Sequence, residues 1–124
     1  MRSEPGNDEP QLGFVVETET IGPTTSLVVV HGQADLHTAP ELRDKLASAI
    51  DHGAHNLIVD LTAATFIDSM TLGVLLGAVK RLRPTGGQMR IVVSSPSIRR
   101  IFEITLLDRV FTLYETRDVA LSGV

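Results

Sequence analysis

The sequence predicts an α/β domain with one mixed β-sheet, an N-terminal hairpin plus parallel strands, packed with about four helices. Three observations carry this reading. From residue 26 onward, short β-rich apolar runs alternate with longer stretches of helical periodicity, the pattern of strand–helix–strand units with right-handed crossovers. Two strand-like runs stand before the first helix with only a short gap between them, which favours an antiparallel hairpin. The chain has 124 residues, 43% hydrophobic and 21% charged, which is one-domain size with ordinary globular composition.

Each element has its own signal. Residues 1–12 are polar and acidic and read as a disordered tail, leaving 13–124 as the domain. Phe14–Glu19 is a first strand, broken by Gly22-Pro23; Ser26–His31 is a second, followed by a loop from Gly32 to His37. Thr38 begins the first helix as N-cap, with Glu41 three residues on completing a capping box and Pro40 in the first turn. Ala39, Leu42, Leu46, Ala49 and Ile50 form its apolar stripe, and Gly53 ends it.

Leu57–Leu61 is a continuous apolar run with Asp60 near its end, the look of a central strand buried on both faces. The run Thr65–Ser69 leads into a second helix with the stripe Leu72, Leu75, Leu76, Val79 and Leu82. Lys80, Arg81 and Arg83 near its end suit the helix dipole, and Pro84 and Gly86-Gly87 stop it. Met89–Ser94 is the next strand. Ser95-Pro96 opens a third helix with a cap and a proline at its first position, and Ile98, Ile101, Phe102 and Thr105 form its inner face. Val110–Tyr114 is a last strand, and Asp118–Ser122 a short terminal helix.

Composition narrows the function classes. There are no cysteines, which excludes disulfides, thiolate metal sites and a cysteine nucleophile. The net charge is −4 and the aromatic fraction 4%, without tryptophan. Direct nucleic-acid binding, which relies on clustered cations and stacking platforms, is not expected. No apolar stretch approaches the ~20 residues of a membrane helix, and the N-terminus has no hydrophobic signal segment, so no membrane association and a cytoplasmic location are expected.

Motifs for enzyme chemistry are absent from the sequence. His31, His37, His52 and His55 form no metal-ligand spacing, and there is no P-loop, dinucleotide fingerprint or nucleophile elbow. Asp60 sits where a receiver domain would carry its phosphoacceptor, but the acidic pair that such a site needs after the first strand is missing. One segment stands out: Asp68-Ser69-Met70-Thr71-Leu72-Gly73, at a loop–helix junction. Asp68 or Ser69 there can be an ordinary cap. A serine at a helix N-terminus is also a favourable place for a phosphate, because free N–H groups and the helix dipole favour added negative charge.

From about Phe14 to Tyr114 the sequence resembles the STAS family, specifically the bacterial anti-sigma factor antagonists (anti-anti-sigma factors). Three motifs carry the resemblance. Gly32-Gln33-Ala34-Asp35, followed by Thr38-Ala39-Pro40-Glu41-Leu42, resembles the family's Gly-Glu-Leu-Asp and Thr-Ala helix start. Asp60-Leu61 through Phe66-Ile67-Asp68-Ser69 and Leu72-Gly73-Val74-Leu75 resembles the Asp-Ser-Ser/Thr-Gly-Leu-Gly phosphorylation motif. Gly86-Gly87-Gln88, Ser95-Pro96 and Ile101-Phe102 resemble the family's fourth strand and third helix.

The resemblance implies a STAS-like fold and a partner switch in place of enzyme activity. An unphosphorylated antagonist binds an anti-sigma factor that is itself a serine kinase, which releases the sigma factor. The kinase, using ATP, phosphorylates the antagonist and the complex parts; a serine phosphatase resets it. The antagonist needs no cofactor of its own. The implied phosphoacceptor is Ser69, and the implied partner-binding residues are Asp35, Asp68, Met70 and Thr71. Met70 stands where the family usually has Ser or Thr, and Thr71 where it has Gly; Leu106 stands where many relatives carry glycine. Met70 and Thr71 also fit a second reading, a non-switching STAS scaffold or ligand-binding module. A third reading is a self-phosphorylating relay enzyme, which the missing nucleotide loop disfavours.

Overall fold

The computed structural model describes residues 13–123; the expected polar tail over 1–12 lies outside the described residues. Five strands pair in chain order: β1 (Phe14–Gly22), β2 (Thr25–Ala34), β3 (Asn56–Ile67), β4 (Gln88–Val92) and β5 (Thr112–Tyr114). β1 and β2 form the expected antiparallel hairpin, and every later pairing is parallel. Three helices join the parallel strands: α1 (Ala39–Asp51), α2 (Ser69–Leu82) and α3 (Pro96–Ile104). Each crossover steps one strand further in the same direction, so a common right-handedness sets all three helices on one face of the sheet. A short α4 (Arg117–Leu121) follows β5.

The two faces are therefore unequal. The helix-covered face holds the main core, with Val28, Val30, Val59, Leu61 and Ile91 from the sheet and Leu42, Leu46, Leu75 and Leu82 from α1 and α2. Each such side chain, fully buried, stabilises the fold by about 1.5–3 kcal/mol. Phe102 of α3 meets Phe111 edge to face, centroids 5.8 Å apart at 89°, a geometry worth about 0.5–1.5 kcal/mol beyond burial. The opposite face carries a small cluster of Leu27, Ile58, Val92 and Ala120 beneath α4. Arg117 fastens α4 there by placing Nη2 2.9 Å and Nε 3.0 Å from Asp60 Oδ2, and Arg90 Nη1 donates to the Ala120 and Ser122 carbonyls at 2.8 Å.

Several boundaries differ from expectation. β2 runs on to Ala34, so Gly32–Ala34 are strand where a loop was expected, and β3 runs on to Ile67, so Thr62–Ala64 join the runs Leu57–Leu61 and Thr65–Ile67 into one strand. Two register shifts in the β2–β3 ladder, between Val29 and His31 and between Gly32 and Gln33, interrupt the alternation that marks a strand. Gly32 has φ +88°, and a Cβ there would lie 1.3 Å from the Gly13 carbonyl oxygen, so β1 closes over it only because it is glycine. Residues 107–109 form a 3₁₀ turn, which shortens the last strand to Thr112–Tyr114. Thr105 is exposed at the end of α3, its hydroxyl donating to the Ile101 carbonyl at 2.7 Å. Leu106 adopts φ +63°, ψ +17°, the left-handed backbone that costs a residue with a Cβ ~1–2 kcal/mol.

Candidate functional site

Two strand–helix junctions leave the sheet side by side. The β2–β3 ladder pairs Gln33 with Phe66 and Ala34 with Ile67, so the β2–α1 loop and the start of α2 share one end of the sheet. Asp68, in extended conformation, is the N-cap of α2, and its Oδ1 accepts from the Thr71 N–H at 2.9 Å. Ser69 is thus the first helical residue and not the cap. Its side chain is exposed, as is that of Met70, which is 57% accessible.

Thr71 is different. With Asp68 as cap, Thr71 falls three residues into the turn and points back to the sheet. It has no exposed surface. Its Oγ1 lies 2.8 Å from the Ala34 carbonyl and 3.0 Å from Asp68 Oδ1, and the Asp68 N–H donates to the same Ala34 carbonyl at 3.1 Å. The expectation of a partner contact at Thr71 is corrected: it is a buried tie between β2 and α2.

The start of α1 also differs from expectation. Thr38 makes no side-chain cap to α1 and does not form a capping box with Glu41. The reciprocal pair lies one turn earlier. Asp35 Oδ1 accepts from the Thr38 N–H at 3.3 Å and the His37 N–H at 2.9 Å, while Thr38 Oγ1 accepts from the Asp35 N–H at 2.8 Å. Both candidate aspartates therefore organise their own junctions: Asp35 holds the loop, Asp68 the helix start. Asp35 and Asp68 are half-buried beside an exposed Ser69.

Sequence reasoning missed two residues at this end. Leu36, next to Asp35, is 57% exposed, and Phe66, two residues before Asp68, is 46% exposed. Leu36 and Phe66 stand at the same end of the sheet as Ser69 and the exposed Met70. The available signals were an apolar residue inside the loop Asp35-Leu36-His37 and the outward partner of the buried Ile67.

Among the described residues no group of three His, Cys, Asp or Glu side chains converges as a metal site. Asp60 is 4% exposed, its Oδ1 taken by the Thr62 N–H at 2.9 Å and its Oδ2 by Arg117. It is a structural anchor under α4 and offers no accessible acceptor. No described helix is long and apolar enough to cross a membrane.

Comparison with known proteins agrees with this geometry. The STAS domain model matches residues 15–120. The chain is 33% identical over 92 residues to an anti-sigma-B factor antagonist of Staphylococcus epidermidis, covering 74% of this chain and 85% of the relative. A crystal structure of an anti-sigma factor antagonist from Mycobacterium paratuberculosis superposes with a TM-score of 0.83 at 31% identity, covering 94% of this chain and 97% of that one. The Bacillus cell fate determinant SpoIIAA in its phosphorylated form shares the fold, with a TM-score of 0.69 at 22% identity over 86% of this chain and 96% of that one. The chain therefore belongs to the STAS domain family, among relatives that carry the name of anti-sigma factor antagonists.

Proposed function

We propose that this chain is an anti-sigma factor antagonist working as a partner switch, with Ser69 as the switch residue. The observation that carries the proposal is that Ser69 is exposed at the first position of α2, while its neighbours Asp68 and Thr71 hold the junction through hydrogen bonds that do not use the serine hydroxyl. A side chain that the fold does not need can be modified without unfolding the junction.

In this reading the unphosphorylated end of the sheet, with Ser69 and Met70 exposed, binds an anti-sigma factor serine kinase and releases the sigma factor. The kinase supplies the ATP site; the Ser69 hydroxyl loses its proton, a bond forms from Oγ to the γ-phosphorus, and ADP leaves. The product stays folded because the first-turn N–H groups and the helix dipole favour an anion. The phosphate adds about −1.5 to −2 charge beside Asp68 and Asp35, on a chain of net charge −4. A partner surface matched to the uncharged serine then meets a bulky dianion, and mismatched charge at an interface costs several kcal/mol. A serine phosphatase restores the first state. The chain itself is a regulator and not an enzyme, and such a switch operates in the cytoplasm. The relatives' names support this reading, as does the phosphorylated state in the name of the SpoIIAA structure.

The test is intact mass after incubation with ATP and each purified anti-sigma factor kinase of the host. One phosphate gained with a kinase, none with ATP alone and none in Ser69→Ala is the expected result. A gain with ATP alone would favour the self-phosphorylating reading, and no gain with any kinase the non-switching scaffold.

A further inference from the structure

We propose that the groove between α1 and α2 receives an acidic amphipathic helix of the anti-sigma factor; this rests on the partner-switch reading above. The groove has a volume of about 510 Å³. Ser69 and Met70 line one end and Arg81 the other, with Leu46, Ile50, Val74 and Ala78 among the lining residues. From Ser69 to Arg81, α2 rises by roughly 18 Å at about 1.5 Å per residue. A cavity of that volume drawn out over that length is a shallow trough. It fits a row of side chains from a helix laid lengthwise, with anchors at i, i+3 or i+4, and i+7.

Two glycines shape the trough. Gly73 and Gly77 lie one turn apart in α2, both exposed and both lining the groove. A Cβ built at either would meet no other part of the chain within 4 Å, and neither has a positive φ. The chain's own packing does not call for glycine at either position, and glycine is among the poorest residues inside a helix. What the pair provides is a clear track on which another backbone can approach closely.

The charges select the occupant. The charged residues lining the groove are Arg43 and Arg81, with no acid between them, although the chain as a whole carries −4. Arg81 Nη2 is bonded to Asp51 at 2.6 Å, which makes Arg43 the cation facing an incoming carboxylate. A second copy docking by a twofold axis would set the same surface against itself, arginines included, so a partner helix with acidic residues is the better fit. Arg43 and Ser69 line the same groove, so a phosphate on Ser69 and a carboxylate of the docked helix would compete for one cation.

The test titrates the host's purified anti-sigma factor kinases against the unaltered chain, Gly77→Leu and Arg43→Glu, with far-UV spectra, melting temperatures and sedimentation of each chain alone. Gly77→Leu fills the trough well away from Ser69 and improves helix propensity. It should melt at or above the unaltered chain yet bind at least tenfold more weakly. Arg43→Glu should keep its fold and lose at least tenfold, which keeps the proposal testable if the leucine variant fails to fold. Unaltered affinity in both variants, with the unaltered chain still binding a kinase, would overturn the groove and leave the partner switch standing. A dimer that Gly77→Leu converts to monomer, with kinase affinity unchanged, would make a second copy the occupant and overturn it too. No binding of the unaltered chain to any kinase would overturn the functional reading itself, and this inference with it.

Discussion

The junctions that start α1 and α2 are built on the same four-residue plan and do different things. One reads Asp35-Leu36-His37-Thr38, the other Asp68-Ser69-Met70-Thr71. In each, the aspartate carboxylate accepts from the backbone N–H of the threonine three residues on, at 3.3 Å and 2.9 Å. The threonines then diverge. Thr38 reaches back to the N–H of its own aspartate, closing a local box, whereas Thr71 is buried and ties α2 to the Ala34 carbonyl across the sheet end. The first junction is held from within; the second is held by the fold. That anchoring is what lets the second expose a serine at a fixed position, while the corresponding position in the first carries Leu36. The comparison teaches that the aspartate carboxylate accepting from the threonine N–H is common machinery, and that the distinguishing chemistry lies in the residue after the aspartate.

The largest expected effect comes from breaking the feature both junctions share, the end of β2. Gly32→Ala puts a Cβ against the Gly13 carbonyl on a left-handed backbone and should cost about 3 kcal/mol, lowering the melting temperature by ~10 °C. Next come the caps. Asp68→Ala removes the acceptor of the Thr71 N–H and a partner of its buried hydroxyl, about 2 kcal/mol, against about 1 kcal/mol for Asp35→Ala; denaturant titration of the two variants measures the difference. A smaller contrast separates the threonines. Thr71→Val should cost about 1 kcal/mol and Thr38→Val roughly half that, because only the first hydroxyl is buried. Met70→Ala is the smallest, below ~0.5 kcal/mol, since its side chain is exposed; a loss of 2 kcal/mol would show that Met70 is packed inside.

Much of this was legible in the residues, and the failures have physical causes. The hairpin, the parallel order, the cap and proline of α3 and the glycine after α1 each depend on chemistry within a few positions, and local chemistry is what a sequence displays. The length of β3 was hidden because Thr62-Ala63-Ala64-Thr65 is weakly apolar and the register shifts scramble its alternation. The capping box was misplaced by one turn because Thr38 and Glu41 also satisfy the pattern, and only the path of the loop decides between the two boxes. Thr71 is a partner-binding expectation only through the resemblance, since it stands where the family usually has glycine; its burial follows from how the first turn of α2 packs on the Ala34 carbonyl, which no local pattern displays. Leu36 and Phe66 were missed because exposure in a loop and at a strand end is a property of the assembled sheet.

The central claim, that charge at Ser69 controls partner binding and not folding, is tested most directly by calorimetric titration of three chains against the cognate anti-sigma factor kinase. The account predicts that Ser69→Ala binds like the unaltered chain. Ser69→Asp should lose at least a hundredfold in affinity, about 3 kcal/mol, while keeping its far-UV spectrum and melting temperature. Equal affinities for all three chains would contradict it.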